Sequence, residues 1–251
     1  VARPLLRRRD APDRRLTPTA SPAVRKAHLE TARTLLAVEA LALQVLRGSL
    51  PPTAGDPIAL AYSTTAALVP VLLTIRQAAR NKGAERFAAE LEAGGARIAL
   101  PDLPPAALDD RLAAERAARF YSDTLLRQAQ EWMAEHDAAR ANPVLVADAA
   151  RLESIAATEV SNAFNDERTR IEVAVADMGR DEEWFPFFVK VWDSTLDGRT
   201  CKVCDRHHGT KRGWGQNFAG GREPGRVHRF CRCVAQFHAI PIEITPRKRA
   251  A

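Results

Sequence analysis

Aromatic residues are scarce in this chain of 251 residues: Phe, Trp and Tyr together make up 6% of it, while hydrophobic residues of all kinds make up 46%. That hydrophobic content is enough for a buried core, so the composition is that of a folded protein. The shortage of aromatics argues against a β-sandwich or β-barrel and favours close-packed helices. Cysteine is also rare, and all four copies lie between Cys201 and Cys233. Any disulfide or thiolate metal site must therefore lie in that segment.

Long uncharged runs are rare too, and one run is long enough for membrane insertion to be considered. It covers Ile58–Ile75, 18 residues without a charge. That length is at the lower limit for a membrane span, but the run contains Pro70 and several hydroxyl side chains, and no second span follows. We therefore predict a buried helix, kinked at Pro70, and no contact with a membrane.

The cysteines and a histidine follow the spacing of metal ligands. Cys201-x2-Cys204 is followed, after 23 residues, by His228-x2-Cys231-x-Cys233. Two thiols separated by two residues can bind one metal ion, and a returning pair can complete a tetrahedron. We predict one structural zinc ion held by Cys201, Cys204, Cys231 and either His228 or Cys233. Two disulfides and unliganded thiols are the alternatives, and the sequence shows no secretory signal that would favour disulfides.

These residues resemble the C-terminal signature of the phage head morphogenesis proteins, the Mu F-like minor head proteins. That signature is similar to Trp, a short spacer, Asp-x-Arg-Thr-Cys-x-x-Cys, a nearby Gly, and His-x-x-Cys-Arg-Cys before a final strand. The matching residues here, besides the cysteines, are Trp192, Asp197, Arg199, Thr200, Gly209, His228 and Arg232. The chain departs from the pattern after the histidine, where Arg229-Phe230 replaces the usual Pro-Asn.

A second block, RLESIAATEVSNAFNDER, resembles the Arg-x-Glu-x-Ile-Ala-x-Thr-Glu helix and downstream Ala-x-Asn of the same family. The matching residues are Arg151, Glu153, Ile155, Ala156, Thr158, Glu159, Ala163, Asn165 and Arg168. The resemblance gives these residues no defined role. It covers residues 150–245, and residues 1–149 contain no motif of their own.

The resemblance implies a minor capsid protein of a tailed phage or prophage. Such a protein is a low-copy oligomer in the virion, in the capsid interior near the portal, and it is in the host cytoplasm during assembly. The implied partners are the portal protein, other capsid components and packaged double-stranded DNA. No catalytic residue is implied, so we expect no enzyme activity.

Two enzymatic alternatives remain open from the sequence. An HNH-like nuclease needs a histidine beside a divalent ion, and His207-His208 offers candidates, but the Asp-His pair and spaced Asn usual in such sites are missing. An ADP-ribosyltransferase-like effector carried in the virion needs a glutamate, for which Glu153 and Glu159 are candidates. The chain has no Gly-rich phosphate loop of the Rossmann or Walker type, which argues against nucleotide chemistry.

Positive charge is concentrated at the termini and around the cysteines. The net charge is +6; residues 1–15 carry six Arg against two Asp, and residues 199–233 carry nine Lys or Arg against two acids. The region between them is acidic, an asymmetry typical of a protein that contacts nucleic acid or an acidic partner at one end. Our candidates for DNA contact are Lys202, Lys211, Arg212, Arg222, Arg226 and Arg229.

The periodicity predicts an α+β protein with long α-helices in the N-terminal two-thirds and a small zinc-bound α+β module at the C-terminus. Helix signals cover Ser21–Gly48, Asp56–Gly95, Ala106–Arg140 and residues 144–178, with an interruption near Asn162–Asn165. Two predicted strands, residues 184–192 and 234–244, flank the cysteine loop.

We divide the chain into four parts: a basic extended arm (1–20), a helical assembly domain (21–142), a Mu F-like module with the metal site (143–246) and a basic tail (247–251).

Overall fold

The computed structural model describes residues 21–49, 57–96, 98–135, 149–178, 187–194, 200–228 and 231–240. The predicted arm and tail lie outside these ranges, and so do Asp197, Arg199 and Arg229. The predicted fold class is confirmed: long helices are followed by a small antiparallel sheet with the Cys/His cluster beside it.

Four long helices form the N-terminal part: α1 (Pro22–Ser49), α2 (Pro57–Ala93), α3 (Ala107–Glu135) and α4 (Ala149–Met178). The end signals act as predicted. Ser21 Oγ accepts the Val24 N–H at 3.3 Å, which caps α1. Helix α2 ends before Gly95, whose φ of 82° is the left-handed conformation that glycine adopts easily.

The predicted interruption of the fourth helix is wrong, because α4 is continuous from Ala149 to Met178. Asparagine side chains break helices by competing for backbone hydrogen bonds. Here Asn165 Nδ2 donates to Ser161 O one turn earlier at 2.8 Å and also to Cys233 O at 3.0 Å. A side chain bound in this way is compatible with the helix.

Helix α2 is central and packs against α1, α3 and α4. Its uncharged stretch supplies Leu68, Leu72 and Ile75 to the main core, as predicted, and the helix runs through Pro70. Close packing requires small residues: a Cβ on Gly83 would lie 2.5 Å from Phe164 O on α4. Within the ranges described, no helix is long and apolar enough to cross a membrane.

The sheet has the order β2-β1-β3, built from β1 (Phe187–Asp193), β2 (Lys211–Gly213) and β3 (Val234–Ile240). The predicted strands pair antiparallel, with Lys190 opposite Phe237. Strand β2 and the short helix α5 (Lys202–His207), both inside the cysteine loop, were not predicted. A second core joins the sheet to the helices; it contains Phe87 and Leu91 of α2, Ile171 and Val175 of α4, and Ala235 and Phe237 of β3.

Candidate metal centre

The metal ligands predicted from the sequence lie together. Cys201 is the N-cap of α5, and its Sγ accepts the Cys204 N–H at 3.3 Å, so the two thiols face the same side. The loop returns His228, whose Nε2 lies 3.0 Å from the sulfur of each of these cysteines. Cys231 Sγ lies 3.8 Å from Cys204 Sγ.

Two overlapping groups of three ligands share Cys204. One contains Cys201, Cys204 and His228, the other contains Cys204, Cys231 and Cys233, and within each group the ligand atoms lie within 4.8 Å of one another. Tetrahedral zinc with Zn–S bonds of about 2.3 Å places two sulfurs about 3.8 Å apart. The sulfurs of Cys204 and Cys231 are separated by this distance. All four cysteines are free thiols. The arrangement therefore fits a tetrahedral metal ion.

The fourth ligand remains a choice between His228 and Cys233. His228 contacts two of the thiols, while Cys233 belongs to the other group of three and its sulfur also lies 3.5 Å from Ser194 Oγ. The hydrogen bond between Cys204 and Cys231 lowers the pKa of Cys231 and raises that of Cys204.

The centre has a small aromatic core of its own. Trp192 and Phe218 are buried with Cys204, Cys231 and Cys233, and the two aromatic rings meet edge to face at 5.1 Å. Trp192 therefore packs in a core. Thr200, another motif residue, lies directly before the N-cap Cys201.

The two neighbouring histidines contact the protein itself. His208 is fully buried, and its Nδ1 accepts the Ser194 N–H at 3.0 Å. His207 stacks on the Trp192 ring at 4.7 Å. Neither belongs to a group of candidate metal ligands in the described residues.

Motif residue Arg168 connects the helices to the sheet. Its guanidinium is fully buried, and Nη2 donates to Glu90 Oε2 of α2 at 2.9 Å and to Ala235 O of β3 at 2.6 Å. Glu90 also accepts the Phe237 N–H at 2.9 Å. Burial opposes ionisation of Glu90, but Arg168 and the nearby His28 hold its pKa below the usual value.

Motif residue Glu159 lies in a buried ion network. Arg76 Nη1 donates to it at 2.6 Å, and Arg76 Nε donates to Asp110 at 2.8 Å. Burial raises the pKa of Glu159. Its neighbour Thr158 lines a groove of about 650 Å³ formed by α2, α3, α4 and the loop that carries His228. A glutamate so paired has a structural explanation that needs no NAD chemistry.

The first two residues of the motif block lie nearer the surface. Arg151 lies over the ring of Phe120, with Cζ 4.7 Å from the ring centre. Glu153 lies 3.9 Å from Arg232 and is 34% exposed. The stronger partner of Arg232 is Glu39 of α1, whose two carboxylate oxygens accept from its Nε and Nη2 at 2.6 to 3.0 Å. Glu39 was not predicted as a site residue, although it is the one charged residue in the apolar stripe of that helix.

The basic candidates for DNA contact fall into two groups. Arg226 is neutralised, because its Nε and Nη2 both lie 2.7 Å from Asp166 Oδ1. Within the described chain, no acid forms an ion pair with the other four, which are Lys202, Lys211, Arg212 and Arg222.

The site therefore consists of a cluster of thiols and one imidazole, an aromatic core beneath it, and buried ion pairs that fix it to three helices. Comparisons of the chain with family models, with curated proteins and with solved structures find no match.

Proposed function

We propose that this protein is a minor head protein of a tailed phage or prophage, a structural component that associates with the portal vertex during procapsid assembly. It acts without catalysis, and its C-terminal module is held by one zinc ion. The observation that supports this is the contact between the two sequence blocks on which the resemblance to Mu F-like proteins rests.

The two blocks meet through hydrogen bonds of motif residues. Asn165 and Arg168 of the helical block donate to Cys233 O, the last residue of the cysteine cluster, and to Ala235 O, two residues later. Residues separated by 68 and 67 positions thus form one unit.

The same contacts support a structural role for the motif. A buried charge left without its partner is strongly destabilising, so Arg168 and Glu159 are required by the fold once they are buried. Arg168 contacts Glu90, and Glu159 contacts Arg76. The glutamates considered for transferase chemistry therefore have partners already, and the best-supported role of the module is assembly.

The donor set supports zinc as the metal. Thiolates and imidazole are the ligands that zinc prefers in structural sites, where four protein ligands close the coordination sphere. Zinc bound here would contribute folding free energy and fix the loop between β1 and β3. The chain supplies a site with three nearly inaccessible sulfurs, those of Cys204, Cys231 and Cys233.

The test is incorporation into procapsids. The full chain would be co-expressed with the portal, scaffold and major capsid proteins of the genome that encodes it, and procapsids would be isolated by sedimentation. We expect the protein in a few copies per particle, and we expect its loss when the portal gene is left out. Particles that lack it in the presence of the portal, together with no copurification with the portal, would overturn the proposal.

A further inference from the structure

Two arginines and a histidine lie on the C-terminal module beside the metal centre. His207 ends α5, Arg212 lies in β2, and Arg222 follows the turn after Phe218. Arg222 is exposed, and the other two are partly exposed. The sequence predicted the two arginines as separate candidates but did not connect them to the histidine.

Ring contacts and strand pairing around Trp192 bring the three residues together. His207 stacks on its ring at 4.7 Å, and Phe218 meets the same ring edge to face at 5.1 Å. Arg222 is the bridge partner of Phe218, and Arg212 pairs with Lys190, two residues before Trp192 on the same side of β1. Three separate segments therefore bring two guanidinium groups and one imidazole close together.

The charges within this group are not compensated. No described acid forms an ion pair with Arg212 or Arg222, whereas the neighbouring cations Arg226 and Lys190 lie against Asp166 and Glu172 at 2.7 and 3.0 Å. Burial, and then the charges of Arg222 and Arg212, lower the pKa of His207. Arg212 and Arg222 therefore form a positive patch in which the described residues supply no ion-paired acid.

We propose that His207, Arg212 and Arg222 form a phosphate-binding site that takes the backbone of double-stranded DNA. Each guanidinium presents a planar set of N–H donors that matches a phosphate, and His207 adds a ring nitrogen. Trp192 and Phe218 are buried beneath the cluster, so neither ring can stack on a base. Contacts of this kind recognise phosphates and carry no sequence information. This inference rests on charge and geometry, and it does not depend on the proposed function.

The experiment measures DNA binding by the zinc-loaded full chain. A fluorescein-labelled duplex of random sequence would be titrated at several salt concentrations, and anisotropy would give the affinity. We expect binding that weakens steeply with salt, and for R212Q/R222Q about a tenfold loss of affinity and a log–log salt slope smaller by about 2. R226Q is the matched control, since Asp166 already neutralises that arginine, and its affinity should stay within about twofold of the wild type.

A second variant separates charge from folding. R212K/R222K keeps both charges, so it should keep most of the salt slope even where R212Q/R222Q is destabilised. Equal affinity of R212Q/R222Q and wild type overturns the proposal, and so does a loss in R226Q as large as that in R212Q/R222Q. Pyrophosphate would be titrated as a second ligand. Binding of pyrophosphate without any duplex binding would also overturn the proposal, because the site would then take free phosphate only.

Discussion

The buried pair of Arg168 and Glu90 leads to a prediction about stability. The substitution Glu90→Gln should change the free energy of unfolding in opposite directions in the wild type and in a variant that lacks Arg168. Both side chains are fully buried, and the pair connects α2, α4 and β3. Replacing Arg168 by Met leaves the Glu90 carboxylate buried without its guanidinium, and the imidazole of His28, 4.0 Å away, is then the nearest basic group. Loss of one partner of a buried ion pair typically destabilises by about 3–5 kcal/mol.

The remaining carboxylate can avoid part of this penalty by taking up a proton. The ordinary pKa of Glu is 4.5, so protonation at pH 7 costs about 3.4 kcal/mol, at about 1.36 kcal/mol for each pKa unit. Glu90→Gln removes the need for that proton while keeping an oxygen that can accept the Phe237 N–H. We therefore expect E90Q to destabilise the wild type but to stabilise R168M, by up to about 3 kcal/mol.

Urea unfolding of the zinc-loaded protein, followed by far-UV circular dichroism, measures the four free energies of unfolding in this cycle. The difference in free energy of unfolding between the wild type and R168M should also become smaller between pH 7 and pH 5. In this variant the folded-state pKa of Glu90 is raised, so protonation becomes easier as pH falls. If E90Q destabilises R168M as much as it destabilises the wild type, the two side chains are not coupled and the reasoning is wrong.

Three further predictions concern packing, pH and metal. Gly83→Ala should destabilise by more than 1 kcal/mol, since its Cβ would lie 2.5 Å from Phe164 O, whereas Gly48→Ala, with nothing within 4 Å, should be neutral or slightly stabilising in thermal melts. Burial lowers the pKa values of His28 and His238, the latter to about 3. In the unfolded chain the same histidines bind protons near pH 6.5. The free energy of unfolding should therefore fall as pH drops from about 6.5 toward 3. His238→Gln should make that fall smaller, and an unchanged slope would contradict the assignment. A zinc chelator should increase amide hydrogen exchange in residues 200–240 more than in α1–α3, and uniform protection after metal removal would show that no metal contributes to the module.

The features that the sequence predicted well are those encoded by neighbouring residues. Ser21-Pro22 and Gly94-Gly95 mark helix ends through their own backbone preferences. The spacing of Cys201 and Cys204 identified metal ligands, because two residues between thiols let both reach one ion. The α+β fold class followed from the sequence pattern, which changes from helical spacing of apolar residues to strand-like segments after α4.

The features that the sequence did not predict depend on distant partners or on very short elements. Arg232 and Glu39 are 193 residues apart, and Arg168 and Glu90 are 78 apart, so each looked like an ordinary charge on its own segment. Strand β2 has three residues and α5 has six, too few for a periodic pattern. The false interruption of α4 came from the local preference of asparagine, which contacts with β3 and the preceding helical turn override.

The metal content of the purified protein tests the central claim most directly. Protein purified without added metal would be analysed by native mass spectrometry, with a thiol titration of the denatured chain alongside. We predict one zinc ion per chain and its complete loss in Cys204→Ser, because Cys204 belongs to both groups of ligands. Of His228→Ala and Cys233→Ser, one should lose zinc and the other should keep it. Wild-type protein with four titratable thiols and no bound metal would contradict the account.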